Sequence, residues 1–366
     1  MKLFSLKQKK HSIRRADIEL LKARKANIAK EREKKRKVTL IQKYRVKYLV
    51  DLTPPQEFNI VNKTARTEFL FFMSKLRKYD SKGAVLLILD FKKVRKMGAE
   101  ATLYFLAELE TLMHYNNKLR FKILYSNTDI VNQVLYQTGI LRLLKINKKM
   151  DSTEFDDSVK CWAYASGFNS QVTEKTKDIV KNLGDQFQES IEYTRGWFKV
   201  ITEAMTNSHH HAYLEPRFKK HPHQVPLKKW WLFSKEVDGV LTVCICDLGL
   251  GIPESLKQNT IDIDDGWFDR VRNFVKELRQ KYNEDSALIK AAIEIGKTRT
   301  KLPNRGKGLS QIINELQKLP NSNVSVSILS NKGGFLTKKP QHATSILVPF
   351  SDSIHGTIIT WTVQKA

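Results

Sequence analysis

Cysteine is scarce in this chain, three among 366 residues, so no disulfide framework can be read from it. Cys244 and Cys246 share one face of a predicted strand and are expected as small buried apolar residues, not as a disulfide or a metal pair. Long apolar runs are also missing. Stretches such as Val85 to Leu89 fall well short of a membrane span, and the opening Met1-Lys-Leu-Phe-Ser-Leu-Lys-Gln-Lys-Lys10 lacks the apolar core of a signal peptide. No membrane partner and a cytoplasmic location are therefore expected. Proline is sparse, ten in all, and with 41% hydrophobic residues the chain can bury a core and fill two domains. Acidic residues are outnumbered, 38 against 64 Lys and Arg, for a formal charge of +26 and a pI near 9.8. Such an excess favours polyanions through counterion release, which makes nucleic acid the first partner to consider. Nuclease and helicase residues are not recognisable, so chemistry on DNA or RNA would belong to a partner.

The positive charge is densest in residues 1–50, read as a basic helical arm. Ser12 is a candidate N-cap before a helix over Ile13 to Lys37, with a thin apolar stripe at Ile13, Leu20, Leu21 and Ile28. Such an arm either contacts nucleic acid or a protein partner, or is a solvated helix that keeps the chain soluble. Basic residues interrupting the aromatics between Gln42 and Tyr48 favour the former. Leu52-Thr-Pro-Pro55 marks a boundary, since paired prolines break helix and strand alike.

Residues 51–150 alternate between helix and strand. Asn62 to Lys78, Gly98 to His114 and Asp129 to Leu144 (interrupted at Gly139) read as helices, and Ala84 to Phe91 and Leu119 to Tyr125 as strands. A small sheet with helices packed on it follows. Residues 151–195 are polar, carry Asp151, Glu154, Asp156 and Asp157, and read as a connector with a helix over Thr173 to Tyr193. The remainder, 196–366, forms a last unit.

Chemistry concentrates in that unit. Glu203, Asn207 and His211 recur every four residues through an apolar helical run and would line one wall. Val240 to Cys246 is β-rich and ends in Asp247-Leu-Gly249-Leu-Gly251; an acid at a strand end can accept from an exocyclic amine, and the glycines permit close backbone approach. Arg305-Gly306-Lys307-Gly308-Leu309 puts a lysine between glycines just before an apolar helix, whose free N–H groups favour phosphates. It is no P-loop: Lys307 is followed by Gly, and Lys301 stands where the leading glycine should be.

Three such segments in this order resemble the GHKL ATPase superfamily, to which the ATP-binding domains of DNA gyrase, MutL and the histidine kinases belong. The resemblance covers about residues 195–366 and implies a C-terminal α/β sandwich of the Bergerat type. It implies ATP and magnesium as cofactors, with Asn207 holding the magnesium and Asp247 reading adenine. Gly249 and Gly251 would flank the base and hinge an ATP lid over residues 252–305, with helices at Phe268 to Tyr282 and Ala287 to Ile295. Gly306, Lys307, Gly308 and Leu309 would close on the phosphates, and His211 would lie on the nucleotide wall. Thr357, in a late Gly-Thr pair, would back the adenine aspartate, with Thr344 the second choice. Glu203 matches the general base of the gyrase and MutL branches, so slow ATP hydrolysis is implied. Leu248 stands where histidine kinases usually have Asn, and the last glycine box is short. Residues 84–146 are similar, less specifically, to STAS domains, through a strand ending Leu-Asp-Phe91 and a later Thr-Gly-Ile-Leu141. Lys96-Met-Gly-Ala99 offers no hydroxyl where STAS antagonists are phosphorylated, so this domain is expected to dock a partner or the ATPase.

The expected protein is an α/β chain with three parts: a basic helical arm, a small STAS-like domain and a GHKL domain. It acts as an ATP-driven conformational switch on a protein or nucleic-acid partner, as in a bacterial defence-type system, with ATP-dependent dimerisation open. The alternatives are a serine kinase of the anti-sigma-factor type and a non-hydrolysing nucleotide-binding module. His209-His-His211 with His221 and His223 suggests zinc, but no Cys or carboxylate cluster completes a shell. Trp230-Trp231 either stacks bases or packs in a strand opposite Val240 to Cys246.

Overall fold

The computed structural model describes residues 6–81, 83–160, 162–168, 191–218, 226–259, 267–294, 308–319, 322–338 and 345–365. It begins with one long helix, α1 (Leu6–Tyr44), mostly exposed among its described side chains and anchored at its end, where Leu40, with Ile41 and Tyr44, packs on Leu86 and Ile88. Ser12 lies inside this helix and does not cap it.

A parallel α/β region follows: β1 (Tyr48–Leu52), β2 (Glu57–Phe58), α2 (Lys63–Arg77), β3 (Val85–Asp90), β4 (Lys96–Met97), α3 (Ala99–Tyr115), β5 (Arg120–Leu124), α4 (Asp129–Gln137) and α5 (Ile140–Leu143). Among the described residues β1, β3 and β5 form a parallel sheet in that order, with β2 and β4 paired beside it. The start of α2 is set by Asn62, whose side chain accepts from the Ala65 N–H at 3.1 Å. Gly139, at φ 78°, separates α4 from α5. The helices and the strands β3 and β5 lie where the apolar periodicity put them. β1 was not foreseen, and it draws the end of the arm into this sheet.

Next come a short α6 (Asp157–Lys160), β6 (Ala163–Gly167), α7 (Ile191–His211), β7 (Trp230–Val237), β8 (Val240–Asp247), α8 (Ile252–Asn259), α9 (Trp267–Leu278), α10 (Glu284–Glu294), α11 (Gly308–Gln317), β9 (Ser322–Ser330), β10 (Gly333–Lys338), β11 (Ile346–Pro349) and β12 (Thr357–Lys365). Seven described strands make an antiparallel sheet in the order β11-β10-β9-β12-β8-β7-β6. The stretch expected as a connector thus supplies an edge strand, β6. Its expected helix over Thr173 to Tyr193 falls mainly outside the described residues.

Helix α3 explains how the two sheets meet. It buries Ala101 to Leu109 almost without interruption, the mark of a helix covered on all sides. One side faces β3 and α2, and the other faces Trp231, Phe233, Cys244, Cys246 and Ile358 of the antiparallel sheet in one continuous core. The far face of that sheet packs against α7 and α11 through Trp197, Ile201, Met205, Ile312 and Leu316. Because β8 is covered on both faces, it reads as a nearly continuous apolar run interrupted by Thr242; Cys244 and Cys246 are its buried thiols, and both are free. Trp230 and Trp231 are fully buried, so they pack the sheet and cannot stack on bases. No described helix is long and apolar enough to cross a membrane.

Candidate functional site

Helix α7 is amphipathic; Val200, Ile201, Ala204 and Met205 face the sheet, which leaves Glu203 and Asn207, one turn apart, half-buried at its margin. The first residue of α11 comes against them. A Cβ on Gly308 would lie 2.5 Å from Asn207 Oδ1, 2.6 Å from Asn207 Nδ2 and 2.6 Å from Glu203 Oε1. A side chain at this position would turn both groups aside. The Asn207 Nδ2 is buried without a hydrogen-bond partner, and burial raises the Glu203 pKa while Lys199 opposes it. Leu309 is half-buried against the α7 face of the core, and His211 is exposed at the end of α7. Gly306, Lys307 and Thr344 lie outside the described residues.

Asp247 ends β8, buried. It pairs in register with Thr357 of β12, which pairs in turn with Ser330 of β9. Burial pushes its carboxyl up to about 6, against the Gly249 N–H at 3.0 Å, the Ser208 side chain, Arg217 and the Thr357 backbone, which all favour the charged form. Ser208 follows Asn207 on α7, so one helix touches both halves of the site.

The loop after Asp247 is fastened at several points. Gly249 lies so close to α7 that a Cβ would be 2.1 Å from the Ala212 carbonyl oxygen, which also accepts from the Leu250 N–H at 2.7 Å. Gly251, at φ +81°, packs against Asn331, whose Nδ2 donates to Leu250 O at 2.8 Å and whose Oδ1 accepts from the Gly356 N–H at 3.2 Å. Ser330 Oγ donates to Gly356 O at 3.1 Å, accepts from the Ile252 N–H at 2.8 Å and lies 3.1 Å from Thr357 Oγ1. Tyr213 accepts from the Leu248 N–H at 3.1 Å and donates to Lys229 O.

The parallel region grips the same loops. Arg66 of α2, 1% exposed, donates to Asn331 O at 2.9 Å, Asp352 O at 3.1 Å and Ile60 O at 2.8 Å and stacks on Phe350, 3.9 Å from the ring centroid. Burial lowers its pKa to about 10. Arg217 donates to the His355 and Ile354 carbonyls and, with Arg77, to Glu108 of α3, at 2.7 and 2.8 Å. Although burial favours the neutral acid, the two guanidiniums hold the Glu108 carboxyl at about 2.

Ser208, Ser330, Asn331 and Arg66 were not foreseen. Ser208 is one position off the four-residue spacing that draws attention to Glu203 and Asn207, and Arg66 reaches Asn331 across 265 positions of sequence. Only the turn, Asn331-Lys-Gly333, carried a local signal. The stretch expected as a lid is in part a fixed wall: α10 buries Ala287, Ile289 and Ala291, and its Ser286 Oγ donates to Val348 O at 3.2 Å. No protein-family model matches the chain, and no curated protein matches it.

Proposed function

We propose that the chain is a magnesium-dependent, ATP-binding GHKL-type ATPase whose nucleotide site lies between α7, α11 and the ends of β8 and β12, with the parallel region as a STAS-like docking partner. The observation that carries this reading is the junction in which Gly308 closes on Asn207 and Glu203 while the neighbouring Ser208 reaches Asp247. Asn207 Oδ1 beside the Glu203 carboxylate offers oxygen donors that suit a hard divalent cation, whose other positions phosphate oxygens and water would fill, while the unpartnered Asn207 Nδ2 is a donor that a phosphate oxygen would satisfy. Bound magnesium would neutralise charge on the phosphates and polarise them.

The chain's own groups divide the remaining work. Asp247, ionised above about pH 6, accepts from the exocyclic amine of adenine, and Thr357 and Gly249 keep its charge supported. Glu203, its proton affinity raised by partial burial, is suited to take a proton from attacking water. The N-terminus of α11 presents free N–H groups to the phosphates. Change at the nucleotide would pass through Asn331 and the 352–356 loop to α2 and α3, and so to a partner held by the parallel region or by the basic arm.

Incubation of purified protein with labelled ATP tests the reading. Free phosphate that disappears with Glu203→Ala supports the switch; label on a protein points instead to a serine kinase, and tight binding without turnover to a nucleotide-binding module.

A further inference from the structure

A cavity of about 650 Å³ opens where α2 and α3 meet the loop after α7, with Leu248, the residue after Asp247, in its wall. Its size falls within the range of small-molecule sites, and Leu112, Leu227, Pro216, Pro226, Phe218 and Leu248 give it apolar walls. Arg77 and Arg217 enter it together. Both bond the same oxygen of Glu108, so two guanidiniums face one carboxylate and one positive charge is left over; Lys78 and Asp80, also in the lining, cancel. The Glu108 bonds use Nη1 of Arg77 and Nη2 of Arg217, and Arg217 Nε donates to the His355 carbonyl. Among the described residues no partner is assigned to Arg77 Nε and Nη2 or to Arg217 Nη1. The Thr111 hydroxyl, in the same wall, is buried without a hydrogen-bond partner. His355 registers the field: burial first, then Arg217 and Arg77, hold its pKa at about 4, so it is neutral and adds no charge.

Surplus positive charge, spare donors and an unsatisfied hydroxyl in an apolar chamber suit one kind of occupant. We propose that this chamber is a second binding site, which takes a small organic anion with a single acidic group on Arg77, Arg217 and Thr111 and an aromatic or aliphatic body against Leu112, Phe218 and Leu227. The site also has a route to the first. Leu248 follows Asp247, and Tyr213, another wall residue, accepts from the Leu248 N–H. An occupant therefore leans on the group that carries Asp247, and coupling between the two sites, which rests on the function proposed above, is reciprocal.

The test uses the full chain with anilinonaphthalene sulfonate as the anionic probe and its uncharged parent, phenylnaphthylamine, as control. The sulfonate should saturate at one molecule per chain and bind about tenfold or more tightly than the neutral parent. Leu227→Trp, which fills the chamber, should abolish that binding, and Thr111→Val, which keeps the shape, should weaken it severalfold, with circular dichroism and melting temperature showing both variants folded. Equal binding of the neutral parent, or binding undisturbed in both variants, overturns the site. Saturating probe should also shift the Kd for magnesium ATP at least threefold; an unchanged Kd refutes the coupling. Absence of any ATP binding would overturn the function proposed above and not the chamber, whose outcome is read from the probe alone.

Discussion

A carboxylate buried at the end of a strand is costly to keep charged, and Asp247 carries that cost. Its pKa rises from 3.8 to about 6, which at about 1.4 kcal/mol per unit is about 3 kcal/mol against the ionised form in the folded chain. Because the folded pKa lies above the unfolded one, this group favours the folded state below pH 3.8 and that favour is lost as pH rises through about 6. The proposed nucleotide recognition runs the other way and needs the ionised form. Asp247→Asn should therefore keep or raise the melting temperature at pH 7.5 while reducing adenine-nucleotide affinity at least tenfold; a variant that melts lower and binds normally would contradict the assigned role. Wild-type affinity should fall below pH 6 in a titration series. Gly308 is constrained at the proposed metal site: a methyl group 2.5 Å from the Asn207 amide must turn that side chain and the Glu203 carboxylate aside. Because both are ends of flexible side chains, Gly308→Ala should leave the melting temperature nearly unchanged and depress ATP turnover at least tenfold, read by melting and phosphate release.

At the scale of elements, the central question is why a buried arginine is bonded to carbonyls and not to a carboxylate. Arg66 gathers the Ile60, Asn331 and Asp352 carbonyls, and Asn331 in turn holds Leu250 and Gly356 beside the proposed base site. Arg66→Met removes the side-chain donor to the Ile60 and Asp352 carbonyls, while Asn331 O keeps the Ile354 N–H, and should destabilise by about 3 kcal/mol in denaturant titrations. It should also raise the KM for ATP with little change in kcat; a lower stability with an unchanged KM would confine Arg66 to holding the two regions together. Such long-range bonds are what sequence reading could not reach. The β7–β8 hairpin, α2 through α5 and the Asp247-x-Gly249 turn were legible, since each is written in local periodicity or turn chemistry. β6, with the sequence Ala-Tyr-Ala-Ser-Gly167, has little strand propensity of its own and is held by pairing with β7. β1 follows a dense basic run that reads as arm, and only its pairing with β3 gives it away. Of the candidate site, the motif residues were visible and their supports were not, because the supports come from three distant segments.

For the whole molecule, charge and architecture divide the labour. Residues 1–37 hold 15 Lys and Arg against four Asp and Glu, and the described side chains of α1 from Arg14 onward are mostly exposed. Removing residues 1–37, which leaves the anchoring Leu40 in place, should weaken nucleic-acid binding and flatten the slope of log affinity against log salt by several units, with ATP turnover unchanged. Binding and slope that survive the deletion would assign the polyanion contact elsewhere. The shared core between the parallel region and the antiparallel sheet makes the two regions one cooperative body, so a partner on α2 has mechanical access to the 352–356 loop through Arg66.

The account turns on one pocket in which Asn207 and Asp247 serve the same nucleotide. Calorimetric titration of the full chain with ATP, with and without magnesium, tests this most directly alongside Asn207→Ala and Asp247→Asn. One site per chain, heat that depends on magnesium, and its loss in both variants are the predicted result; no heat from the wild type, or two variants that titrate like it, would contradict the account.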